Sequence, residues 1–211
     1  MHGEAGSVNP EAVEEERARL HDLMENKEGR VSRDNVYNVD KTAFYYAAPP
    51  TREIGRGFRP GVKKNKGRLS LAVCCNASGT DLRPLLFIGK AWKPRAFSGH
   101  ICEWHKFAYH ANAKAWMTGN VFCRWLFDFN RDMVTQGRNV VLFMDNFSGH
   151  KCPELSNIDV YFFAPNMTAF VQPLDAGIMW ALKAIYRSKL CRRAMKAVVQ
   201  GRPLGEVWVI N

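Results

Sequence analysis

Three aspartates of this chain sit in contexts that invite chemistry. Asp40 falls inside VYNVDKTAFYY, residues 36–46, an alternating run rich in β-formers. An acid in an apolar strand is costly unless it has a partner or a task. Asp145, with Asn146, follows the continuous apolar run NVVLFM at 139–144. It therefore ends a strand buried on both faces, at the edge where open α/β sheets place their ligands. Asp175 follows Gln172-Pro173-Leu174 and opens the last long helical stretch, 30 positions after Asp145. Three carboxylates converging on one spot repel one another, and a bound divalent cation resolves that repulsion. Hard oxygen donors select Mg²⁺ or Mn²⁺ over zinc. Two such ions about 4 Å apart would activate water or a 3′-hydroxyl and stabilise the leaving oxygen during attack on a phosphodiester.

Each aspartate also has an ordinary reading. Asp175 is a good helix N-cap or first-turn acid, and Asp145-Asn146 would serve as a strand-to-turn signal. Neither cap nor turn chemistry explains Asp40. Singly the three are weak signals; their joint order and spacing carries the information. A second metal-capable group, His100, Cys102, His105 and His110, fits no standard zinc spacing and is interleaved with aromatics. It is expected to be ordinary loop packing. The six cysteines form no C-x-x-C pair and read as thiols rather than disulfides.

The elements that must position these residues follow from pattern. Residues 10–25 (PEAVEEERARLHDLME) read as a helix with Pro10 at its start and only a thin apolar stripe, hence peripheral or a linker. Strands are expected over 36–46, 69–76 and 82–88, the last two joined by the turn Ala77-Ser78-Gly79-Thr80 as an antiparallel pair. Residues 90–117 read as irregular. Thr118 caps a helix to about Thr135, strands follow at 139–144 and 159–163, and a final helix spans 175–200, stopped by Gly201 and Pro203. A three-strand meander followed by helix, strand, strand and helix is an α/β arrangement with a mixed sheet.

The 211 residues suit one domain, with 46% hydrophobic residues to build a core. The net charge of +10 is uneven: residues 1–40 hold 10 acids and 5 bases, leaving 10 acids and 25 bases beyond. That balance suits a polyanion such as nucleic acid. No apolar run reaches the length of a membrane span, so no membrane partner is expected, and no secretory signal opens the chain. Candidate phosphate contacts are Lys183, Arg187, Lys189, Arg192, Arg193 and Lys196 on the final helix, which has no acid between Asp175 and Glu206. Positions 189, 192, 193 and 196 share a face. Arg52, Lys63, Lys64 and Lys66, in the Gly/Pro/basic connection at 47–67, form a second group. Asn146 and His150 are auxiliary candidates; His150 either positions substrate or caps the turn after Asp145, and both readings stand.

Taken together, Tyr37-Asn38-Val39-Asp40-Lys41-Thr42-Ala43, Met144-Asp145-Asn146-Phe147-Ser148-Gly149-His150, and Ala164-Pro165-Asn166-Met167-Thr168 running into Gln172-Pro173-Leu174-Asp175-Ala176-Gly177 form a recognisable set. With Lys114-Ala115-Trp116-Met117-Thr118, they resemble the DDE superfamily endonuclease domain of pogo/Tigger-type transposases, the jerky-like and centromere-protein-B-like group. The resemblance runs from about Val36 to Arg193. It implies an RNase H-like fold, Asp40, Asp145 and Asp175 as a catalytic, metal-binding triad for two Mg²⁺ or Mn²⁺ ions, and cleavage and transfer of DNA strands. It further implies DNA as partner, a nuclear location, a homodimer in the active state and no small-molecule cofactor.

Two features depart from the family pattern. Many relatives carry Glu after the first Asp, where this chain has Lys41; strand alternation predicts that Lys41 points away from the metals. Family members usually carry helix-turn-helix modules before this region, whereas about 35 mostly acidic residues precede it here. Residues 1–35 are accordingly expected as an acidic helical linker, 36–200 as the endonuclease core and 201–211 as a truncated tail. The alternative is a domesticated or degenerate transposase-derived DNA-binding protein without catalysis. An RNase H-like nuclease acting on RNA shares the triad but not the quoted blocks.

Overall fold

The computed structural model describes residues 9–25, 31–46, 67–97, 107–146 and 154–202. Its centre is a six-stranded mixed sheet built from β1 (Val36–Phe44), β2 (Leu69–Asn76), β3 (Leu86–Gly89), β4 (Ala108–Ala111), β5 (Val140–Met144) and β6 (Ile158–Phe162). The spatial order is β4-β3-β2-β1-β5-β6. The first three strands form the expected antiparallel meander, and β5 and β6 run parallel to β1. Among the described residues, four α-helices flank the sheet: α1 (Pro10–Glu25), α2 (Gly119–Thr135), the short α3 (Thr168–Val171) and α4 (Met179–Val199). This is the RNase H-like arrangement.

Period-two alternation divides the sheet into two faces. Tyr37, Val39, Leu142 and Met144 pack against Phe122, Leu126, Phe129 and Met133 of α2. The neighbouring positions face the opposite layer. There Phe44, Leu71 and Val73 meet Leu174 and Met179, and Val36, Val141 and Phe143 meet Leu20 and Met24 of α1. The helix expected to be peripheral thus docks on the sheet. Its buried Glu16 pairs with Arg19 at 2.6 Å and accepts from the Ala164 backbone N–H at 2.9 Å. The Thr118 hydroxyl accepts from Val121 N–H and starts α2 as anticipated.

Three elements differ from expectation. β3 begins at Leu86 rather than Leu82, because Pro84 has no N–H to give to a ladder; residue 82 makes only an isolated bridge to Cys75. β4 lies within the stretch read as irregular, where parallel pairing with β3 supplies the order that local pattern lacks. Its Tyr109 hydroxyl fills the space a Cβ on Gly89 would need and donates to Ala91 O at 2.7 Å. The final helix does not start at Asp175: a π turn, Leu174–Ile178, precedes α4. It ends as expected at Gly201, in left-handed geometry (φ 65°), with Gly201 N–H bonded to Val198 O and Arg202 N–H to Ala197 O. Among the described residues, no helix is long and apolar enough to cross a membrane.

Candidate active site

The site lies where β1 and β5, adjacent and parallel, run out at their C-terminal ends. Asn38 is level with Phe143 in that ladder. Asp40 lies two residues further along β1, and Asp145 directly follows the end of β5, so both come to the same rim of the sheet. Adjacent strands are about 4.8 Å apart, so two acids share one short stretch of the sheet's rim. Asp145 comes immediately after the end of β5, with Asn146 exposed beside it.

Asp175 arrives from the other direction. Asn38, buried at the parity of Asp40, donates from Nδ2 to Phe143 O at 3.0 Å and accepts from Leu174 N–H at 3.2 Å. One amide thus ties β1 to β5 and to the π turn that carries Asp175. Leu174, fully buried against Phe44, Leu71 and Val73, locks that turn to the sheet. The start of α4 is fixed by Lys183, whose Nζ donates to Thr42 Oγ1 at 2.5 Å, and by Tyr186, which donates to Tyr46 O at 2.5 Å and packs edge-on to Phe44.

Asp175 and Asp145 act on Asp40 through charge. Asp40 has its pKa pushed up to about 7, first by burial, then by the charge of Asp175 and, more weakly, Asp145. The Lys41 backbone N–H, 2.6 Å from Asp40 Oδ1, and the Gln172 amide pull the other way. Gln172 is itself 2% exposed, and among the described residues neither amide atom completes a hydrogen bond of normal geometry. Buried amides are nearly always satisfied; this one faces the acids with bonding capacity unspent. Among the described residues, no three His, Cys, Asp or Glu side chains close into a ready-made metal cage. The donor set of carboxylate oxygens fits a hard divalent cation, and the unsatisfied Gln172 and the raised Asp40 fit a centre that is short of positive charge.

Lys41 corrects an expectation. Instead of pointing away, its Nζ stands 3.0 Å from Asp145 Oδ2 and 3.3 Å from Oδ1. Alternation governs the Cα–Cβ direction, not the end of a four-carbon stem. β5 stops at Met144, level with Val39, so Lys41 has no β5 neighbour beside it and its ammonium rounds the rim. Sequence reasoning also passed over Asn38 and Gln172 as site residues. The usable signal for Asn38 was a polar residue at the parity of Asp40 in an otherwise apolar strand.

Of the basic candidates, Lys183 is partly buried at the site, and Arg187, Lys189, Arg192, Arg193 and Lys196 are exposed along α4. None of the last five forms an ion pair among the described residues. Arg52, Lys63, Lys64, Lys66 and His150 lie outside the described residues, as do His100, Cys102 and His105; His110 sits on β4.

The family described as DDE superfamily endonuclease matches residues 66–207, which include Asp145 and Asp175. The chain belongs to this family. This DDE core is 29% identical over 198 residues to CENP-B homolog protein 2 of Schizosaccharomyces pombe, covering 89% of the chain and 37% of the relative. That coverage takes in β1 and Asp40 wherever it starts. It is 33% identical over 169 residues to Tigger transposable element-derived protein 4 of Mus musculus, covering 78% of the chain and 32% of the relative. The group is that of pogo/Tigger-type transposase-derived proteins, with Jerky-type members. The DDE core spans about a third of the length of these curated relatives. In fold it is similar to the catalytic domain of Mos1 mariner transposase (TM-score 0.51, 11% identity, 96% of this chain and 87% of that one). The Mos1 mariner paired-end complex with Mn gives a TM-score of 0.55 at 12% identity, over 85% of this chain and 50% of that one.

Proposed function

We propose that this chain is the DNA-cleaving and strand-transferring core of a transposase lineage, with Asp40, Asp145 and Asp175 as ligands for divalent metal. The observation that carries this reading is the Asn38 amide, which ties β1, bearing Asp40, to the end of β5, which leads into Asp145, and to the turn bearing Asp175. Bound there, two Mg²⁺ or Mn²⁺ ions would supply Lewis acidity at the attacking and leaving oxygens of a phosphodiester. The Mos1 complex crystallised with Mn supports the metal class. Asn38 and Leu174 hold the three acids in register, and Gln172 has an amide to offer the metal-bound carboxylates or substrate. The partner is DNA, the location the nucleus, and the active form a homodimer. A supercoiled-plasmid assay tests the chemistry: nicks in Mg²⁺ or Mn²⁺, and none in Ca²⁺ or chelator, are expected.

α4 starts beside Asp175 and rises about 1.5 Å per residue, so Arg192 and Arg193 lie about 20 Å further along it. Its exposed bases form a track that leads DNA phosphates to the acids. Binding should weaken steeply with salt, and the log–log slope should fall by about 0.9 for each phosphate contact removed in an Arg192→Ala, Arg193→Ala, Lys196→Ala triple variant. Fluorescence anisotropy on a duplex of arbitrary sequence measures it; an unchanged slope removes α4 from the DNA path.

A second reading, a transposase-derived DNA-binding protein without catalysis, is favoured by one observation: Lys41 already neutralises Asp145. Salt-dependent DNA binding with plasmid left intact under every metal condition would select it.

A further inference from the structure

We infer that Lys41 is a built-in competitor for divalent cation at Asp145, and so sets how tightly the three-aspartate centre holds metal. The inference rests on the metal-ligand role proposed for these acids. Lys41 Nζ is within hydrogen-bonding distance of both Asp145 oxygens, at 3.0 and 3.3 Å, the two atoms a cation would claim. The pair is partly buried, with side chains 24% and 29% exposed, so solvent screens it less than a pair standing free in water. The same residue gives its backbone N–H to Asp40 Oδ1. Lys41 thus engages two of the three acids, one through a fixed amide and one through a displaceable ammonium. A lysine ammonium is a compact point charge on a flexible stem, which suits it to leave when a doubly charged ion arrives. The effect is selective. Asp40 meets Lys41 only through the backbone N–H, so its carboxylate stays open to a cation whichever way the ammonium moves. Metal entry therefore exchanges one cation for another at Asp145 while adding charge beside Asp40 and Asp175.

The test is a Mn²⁺ titration of the full chain without DNA, read by electron paramagnetic resonance of free Mn²⁺. Lys41→Met, which keeps much of the stem and loses the charge, should bind Mn²⁺ severalfold more tightly than the unmodified chain, the gain expected from removing a partly exposed ion pair. Lys41→Arg should remain weak, and Asp145→Asn added to Lys41→Met should erase the gain. Equal affinity in the unmodified chain and Lys41→Met overturns the competition and leaves the carboxylate centre standing. Absence of Mn²⁺ binding in both overturns the centre and the competition with it. The unmodified chain supplies a readout independent of any variant's folding: acetylation of Lys41, followed by mass spectrometry at constant ionic strength. Its rate should rise severalfold as Mg²⁺ displaces the ammonium. A rate unmoved while Mg²⁺ binds would also refute the inference.

Discussion

Replacing Asp145 with Asn should abolish plasmid nicking at saturating Mn²⁺, a loss of at least about a thousandfold, while the chain stays folded. Asn keeps the shape of Asp and removes the charge that both a metal and Lys41 require. Asp40→Asn and Asp175→Asn should fall to the same floor, and a double variant should fall no further, because ligands that act as one unit give non-additive losses. The fold is expected to survive because its ties run through other atoms. Asn38 bonds Phe143 O and Leu174 N–H, and Leu174 is buried in the core. Nicking that persists in any one variant, with circular dichroism unchanged, would remove that aspartate from the metal site.

The metal-free chain should grow less stable as pH rises from about 4 to 7, and Asp40→Asn should remove that loss. In the unfolded chain Asp40 ionises near its ordinary value of about 3.9; in the folded chain burial and the neighbouring acids hold it protonated until about 7. Between those values the folded state binds more protons, so each pH unit lowers stability by up to about 1.4 kcal/mol. Below the window the two states are protonated alike, and above it the loss is complete. The variant should therefore melt higher than the unmodified chain at pH 8 and equally near pH 3, with about 2–4 °C for each kcal/mol. Mg²⁺ at pH 8 should raise the melting temperature of the unmodified chain and do little for Asp40→Asn. Parallel melting curves across the whole pH range would show that Asp40 is not held neutral.

The sheet's centre was legible because its strands announce themselves locally. β1, β2 and β5 carry alternation or unbroken apolar runs, and α2 has both a cap and an apolar face. β4 is four residues long and owes its order to β3, a partner no local window contains. The positions of Asp40 within β1 and of Asp145 directly after β5 were readable from the strand pattern. Where Lys41 would end was not readable, since four methylenes outreach the alternation that fixes the backbone. Gln172 gave no signal for another reason: it stands between elements, and only the turn carrying Asp175 folds it inward.

The docking of α1 has a consequence for how this chain behaves in solution. β6 is the last strand of the sheet, and its outer backbone groups would otherwise offer a pairing site to any passing strand. Near the end of β6, Arg19 donates to Phe162 O at 3.1 Å and Glu16 accepts from Ala164 N–H at 2.9 Å. Two side chains of a helix thereby occupy backbone groups that a neighbouring molecule would use. Leu20 and Met24 shield the apolar surface beneath. α1 is thus a guard against edge-to-edge association, and a shortened form beginning at β1 would lose its protection against aggregation along with it.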